Sequence, residues 1–121
     1  MITTGKKIYS ILSQNAGVAA LVSSKIYPLV LPENTSLPAI VYERSFTNVY
    51  TKDYRAGSES VINITILAKE YKDTIDISEA VEAALGNYTD SSIRIIRLEN
   101  GAETYLEGAF VQNLTYTVRG V

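Results

Sequence analysis

Histidine, cysteine and tryptophan are all absent from this chain, and each absence removes a class of chemistry. Without histidine the commonest general base and the commonest metal ligand are both missing, which excludes hydrolysis by a Ser-His pair. Without cysteine there is no disulfide and no thiolate nucleophile, in keeping with synthesis in a reducing cytoplasm. The seven glycines are scattered, and none stands in a pattern whose backbone amides would cradle phosphate. No apolar run approaches the roughly 20 residues that span a bilayer, and the N-terminus lacks the basic, apolar, small-residue order of a secretion signal. No membrane partner is expected. The three prolines are Pro28, Pro32 and Pro38, so one short stretch holds every residue that bars a regular helix.

What is present describes a domain with a core. The chain has 121 residues, 46% of them hydrophobic and 20% charged, which predicts one folded domain over 1–121 rather than a disordered segment. Nine of the eleven aromatic residues are tyrosines, whose rings bury apolar area while their hydroxyls need water or a partner, as at interfaces. The formal charge of −2 gives no clustered Lys and Arg surplus for counterion release, so sequence-specific nucleic-acid binding is not expected. Asn-x-Ser/Thr triplets begin at Asn34, Asn63, Asn87 and Asn113; in a chain without a secretion signal they read as coincidence.

Periodicity predicts the elements. Thr3 or Thr4 caps a first helix with Ile8, Ile11 and Leu12 on one face. Asn15 and Gly17 interrupt it, and Val18–Val22 reads as one further helical turn. A proline-bearing loop runs from Leu29 to Pro38. A strand from Ala39 to Thr47 places Ile40, Tyr42 and Phe46 on one face. A long polar hairpin loop covers Asn48–Ser58, and a second strand, Val61–Ala68, turns Ile62, Ile64 and Ile66 one way. Asp73 caps a second helix with Ile77, Ala80, Val81, Ala84 and Leu85 in one stripe, ended by a left-handed stop at Gly86-Asn87. The last third reads as a hairpin of Ile93–Glu99 and Thr104–Arg119 turning at Asn100-Gly101, with Phe110, Leu114, Tyr116 and Val118 on one face and Gly108 marking a bulge or bend. The expected class is α+β in two layers, a mostly antiparallel four-stranded sheet with two helices on one face.

Candidate sites are few. Asp73 with Asp76, and Glu79 with Glu82, lie three apart on the second helix and could share a hard cation, but that spacing equally describes its solvated face. No catalytic residue, cofactor or metal is therefore expected. Arg94 and Arg97 fall on opposite faces of a regular strand and make no basic stripe. The two long loops are the places where chain is spent without core, and such loops commonly serve binding. Their candidate contact residues are Tyr50, Lys52, Asp53, Tyr54 and Arg55 in one and Pro32, Glu33 and Asn34 in the other, Tyr and Arg being the types enriched where interfaces gain most of their energy.

The order of the first helix, the Val18–Val22 turn, Lys25-Ile26-Tyr27-Pro28, Leu37-Pro38-Ala39-Ile40-Val41-Tyr42, the strand Val61–Ala68 and the helix ending at Ala83-Ala84-Leu85 resembles the small tail-completion proteins of tailed bacteriophages, a family of tail terminators and tail-to-head joining proteins. Family members often have Gly before the basic residue preceding Ile-Tyr-Pro, where Ser24 stands here, and a Trp toward the end of the middle strand, where Leu67 or a neighbour stands. The resemblance implies a structural protein of the phage or prophage virion without catalytic residues. It would be made in the bacterial host cytoplasm and placed in the virion tail. Its implied partners are copies of itself in a ring, commonly a hexamer, together with the tail tube protein and the head connector protein. The alternative from another class is a small-ligand binding or regulatory α+β domain of a bacterial cytoplasmic protein, with tyrosines around an apolar cleft.

Overall fold

The computed structural model describes residues 4–51, 54–86 and 88–120, with backbone alone at 46–51 and 54–58. Three helices, α1 (Thr4–Gln14), α2 (Ala16–Val22) and α3 (Tyr71–Leu85), accompany five strands, β1 (Ile26–Pro28), β2 (Ala39–Thr51), β3 (Tyr54–Ala68), β4 (Ile93–Leu106) and β5 (Ala109–Gly120). They form one mixed sheet in the order β1-β2-β3-β5-β4, in which β1 pairs with β2 in parallel and every other pair is antiparallel. The α+β class and the two layers agree with the periodicity; the strand and helix counts do not. β1 is too short to show a period of two. It is fixed instead by backbone bonds from Ile40 N to Lys25 O and from Leu29 N to Tyr42 O.

The core forms where the helices cover one face of the sheet. Ile62, Ile64 and Ile66 of β3 are fully buried, as are Ile8 and Leu12 of α1, Val18 and Val22 of α2, and Val81 and Leu85 of α3. Alternate residues of β3, Glu59, Val61, Asn63, Thr65 and Leu67, are only half-buried on the other face. Tyr116 is completely buried in the core, and its hydroxyl donates to Glu82 Oε1 at 2.7 Å. Burial, and then this bond to a carboxylate, pushes its phenol far above the ordinary range.

Local signals explain the ends of the helices. Asn15 is the N-cap of α2, its side chain accepting from Val18 N at 3.0 Å, so the residue that interrupts α1 also starts the next helix. Thr4 lies within α1 rather than capping it, and Thr3 is outside the described residues. Asp73 sits in the first turn of α3, where it favours the positive end of the helix dipole; the cap position is Glu70, which makes no side-chain cap bond. Gly86 is not left-handed, with φ −60° and ψ 126°. Glycine is needed there for space, because a Cβ would stand 2.8 Å from the Glu82 carbonyl oxygen. Asn87 lies outside the described residues.

Both hairpins differ from the periodicity reading. Residues 48–51 and 54–58 are strand rather than loop: β2 and β3 stay paired as far as Tyr50↔Arg55 and Thr51↔Tyr54, with a register shift at Val49/Tyr50. Sequence alternation is a sign of strand only where a polar and an apolar face differ, and the polar run from Asn48 to Ser58 shows no such difference. The second hairpin turns at Glu107-Gly108, where φ is +50° and +83°, the pair of positive values of a two-residue type I′ turn. Asn100 and Gly101 lie inside β4, opposite Thr115 and Leu114, just past a bulge at Leu98/Asn100. Asn-Gly permits a turn without compelling one.

Candidate assembly surfaces

Three exposed surfaces are built by these elements. The first lies where α1 passes over β1 and β2. Gly5, Lys6 and Tyr9 of α1, Pro28 and Leu29 after β1, and Tyr42, Glu43 and Arg44 of β2 line an open groove of about 460 Å³. The rings of Tyr9 and Tyr42 are 6.3 Å apart, and burial, followed by Tyr9, raises the Tyr42 phenol above its usual value. Leu29 and Val30 stand beside the groove and are each 70% exposed. Leu29 is held out in the left-handed region, at φ +68°, a conformation uncommon for a branched apolar residue.

The loop that follows is pinned at several points. Val30 N donates to Pro28 O, Thr35 Oγ1 to Pro32 O at 2.6 Å, and Lys25 Nζ to Ser36 O at 3.0 Å. The bond from Leu37 to Pro38 is cis, and Asn34 is left-handed at φ +62°. Pro32, Glu33 and Asn34 are all exposed at the loop surface. They are not brought together with the other predicted contact residues, Tyr50, Tyr54 and Arg55, which belong to the ribbon at the far end of β2 and β3. Lys52 and Asp53 lie outside the described residues, and the side chains of Tyr50, Tyr54 and Arg55 are likewise not described.

The second surface, at the tip of the β4–β5 hairpin, is one the periodicity reading missed. Tyr105 and Leu106 are 61% and 62% exposed. The Tyr105 ring meets Phe110 edge-on at 4.9 Å, and Phe110 meets Tyr71 of α3 at 6.1 Å. Glu103 ties this cluster to the body: its Oε2 accepts from Tyr71 Oη and from Gln112 Nε2, both at 2.6 Å. These two bonds, Tyr71 first, hold the Glu103 carboxyl below the usual carboxylate range. The available signal was the run Tyr105, Leu106 and Phe110 flanking Glu-Gly, which moving the turn back to Asn-Gly had hidden inside a strand.

The third surface is a shallow groove of about 270 Å³ on β4 and β5, lined by Arg94, Ile95, Arg97, Thr117 and Arg119. The register shift at Ile93/Ile95 lets Arg94 and Arg97 line the same groove, although strict alternation would separate them. Arg97 pairs with Glu99 at 3.0 Å and Arg119 with Glu59 at 3.1 Å, so most of this charge is already answered.

Two of the four helix carboxylates have a side-chain partner. Asp76 pairs with Lys72 at 2.8 Å and Glu82 accepts from Tyr116. Among the described residues no group of three or more carboxylates could hold a metal ion, and no helix is long and apolar enough to cross a membrane.

Comparison with known proteins bears on this arrangement. A search of curated protein sequences finds no significant match. A chain in a solved structure described as the virion of a native gene transfer agent (GTA) particle shares the fold, with a TM-score of 0.80 at 16% identity, covering 93% of this chain and 90% of that one. The family model for Tail completion protein gp17 matches residues 6–118, and the chain therefore belongs to the tail completion protein family of tailed bacteriophages.

Proposed function

We propose that this protein is a non-catalytic structural component of a phage or prophage tail, which closes the tail tube as a ring and joins it to the head connector. The observation that carries the reading is the pair of unlike exposed apolar surfaces, one beside β1 and one at the tip of β4, on opposite edges of a single sheet. A closed ring requires a heterologous contact between two different patches on every subunit, whereas a single self-complementary patch would give a twofold dimer. The chain is made in the bacterial cytoplasm and ends in the virion tail; its partners are copies of itself, commonly six, with the tail tube protein and the head connector protein. Pro32, Glu33 and Asn34 in the pinned loop and Tyr50, Lys52, Asp53, Tyr54 and Arg55 at the ribbon are assigned to contacts with these partners. Its mild negative charge of −2 suits a channel through which DNA must pass without being held.

The test combines the purified protein with tail tubes that lack a completion protein. Negative-stain microscopy is expected to show tube ends capped by rings, and light scattering a ring-sized species in the protein alone at high concentration. A protein that remains monomeric over the whole concentration series and leaves tube ends bare would overturn the proposal.

A further inference from the structure

We propose that the β4–β5 hairpin tip of one copy, Tyr105 and Leu106, inserts into the Tyr9–Leu29–Tyr42 groove of the next copy, and that this contact is the repeating bond of the ring. This inference rests on the ring reading above and adds to it the two surfaces that meet.

Both members of the contact have an apolar centre. The groove offers tyrosine rings and the exposed Leu29, and the tip offers a tyrosine and a leucine that are each more than half exposed. Large apolar side chains held in water by a defined backbone are a standing cost unless a partner covers them. The tip is also braced by contacts within its own chain. A two-residue turn closes it, and Phe110, Tyr71 and the doubly bonded Glu103 brace it from behind, so little further ordering is needed on contact.

Charge decides the occupant in favour of a second copy. The tip carries the exposed Glu107 next to the apolar pair, and the exposed Lys6 borders the groove, which Glu43 also lines. Glu107 of one copy can then face Lys6 of the next beside an apolar centre, an arrangement of charged rim and apolar middle usual in specific interfaces. The two sites cannot satisfy each other within one chain. They flank β1 and β4, the outer strands of a five-stranded sheet, and four strand spacings separate them by about 19 Å. A contact between such opposite edges repeats head to tail.

The absence of native cysteine makes a direct test possible. The double variant Lys6→Cys/Glu107→Cys is oxidised and run on a non-reducing gel. The two positions are too far apart to close within one chain, since a disulfide needs Cα atoms within about 7 Å. The expected result is a ladder of covalent dimer, trimer and higher species that stops at the ring number. The control Lys6→Cys/Arg94→Cys, which moves the second thiol to the other end of β4, is expected to give no ladder. Adding Leu106→Asp to the first pair is expected to lower ladder yield about tenfold or more while leaving the far-UV melting curve unchanged. Should that variant melt early, Tyr105→Ser replaces it with the same expectation. No ladder, equal ladders from test and control, or a ladder insensitive to the tip substitution would each overturn the inference. Rings in the parent without a ladder would leave the ring reading standing; a parent that never leaves the monomer would remove both.

Discussion

Thr65 of β3 and Asn113 of β5 lie directly opposite each other, and the threonine hydroxyl donates to Asn113 Oδ1 at 2.9 Å. Two residues along, the relationship is reversed: Thr115 donates to Asn63 Oδ1, also at 2.9 Å. Two Asn-x-Thr triplets paired antiparallel and in register place the Asn of each against the Thr of the other. The triplets that resemble glycosylation signals are thus a polar ladder on the sheet face away from the core. Directly opposed side-chain pairs of this kind contribute about 0.2–1 kcal/mol each. A double-mutant cycle of Thr65→Val and Asn113→Ala, read by urea denaturation, is expected to give a coupling energy in that range, and a zero coupling would show that the pair contributes geometry alone.

The face toward the helices carries more energy. Ile64 and Ile66 are fully buried, and truncating either to Ala leaves a cavity that the sheet cannot close. Each substitution is expected to lower the unfolding free energy by about 2–5 kcal/mol. A loss under about 0.5 kcal/mol at both sites in the same denaturation experiment would contradict their place beneath the helices.

Acid should weaken the fold through Asp90. Its carboxylate takes bonds from Lys7, from the backbone N–H groups of Ser92 and Ile93, and from the Ser92 hydroxyl, and the Lys7 bond first of all holds its pKa far below the ordinary value. A carboxyl whose folded pKa is depressed contributes stability that is complete above the unfolded value of about 4 and is lost as pH falls below it. Glu103 is lowered as well and acts with the same sign. Lys7 is raised, so its share persists until strongly alkaline pH. Melting temperatures measured from pH 7 to pH 2 are expected to fall more steeply for the parent than for Asp90→Asn, with the variant already lower at pH 7. Parallel curves would mean that Asp90 contributes nothing to the acid limb.

The ribbon at the end of β2 and β3 is expected to serve assembly rather than folding. Changing Tyr50, Tyr54 and Arg55 together to Ala should leave the melting temperature near that of the parent and impair incorporation into tails. Normal tails from a stably folded triple variant would place the contacts elsewhere, and loss of folding would place these residues in the core.

How much of this was legible in the sequence follows from what each residue pattern reports. Ile62, Ile64 and Ile66, or Ile77, Val81 and Leu85, declare their buried face because a single period runs through several residues. The three-residue β1 carries no period, and the polar run from Asn48 to Ser58 shows no difference between a polar and an apolar face. From the sequence the last turn falls at Asn100-Gly101, with Gly108 as a bulge or bend, and pairing along the whole of β5 puts it at Glu107-Gly108 instead. Of the surfaces, the proline loop was visible as chain without core. The aromatic tip was not, because Tyr71, Tyr105 and Phe110 come together only through the tertiary fold.

The uninterrupted course of β3 has a mechanical consequence. Among the described residues the stretch 54–57 pairs with β2 alone, yet the same strand runs on through the centre of the sheet, flanked by β2 and β5, as far as Ala68. The ribbon is therefore a cantilever anchored across the molecule rather than a tether tied to its rim. Hydrogen bonds in antiparallel ladders lie across the strands, so a pull along β3 loads many of them in shear at once, whereas a pull across the ribbon would peel them one by one. Load directed along β3 is therefore shared by many bonds at once, and load across the ribbon by few.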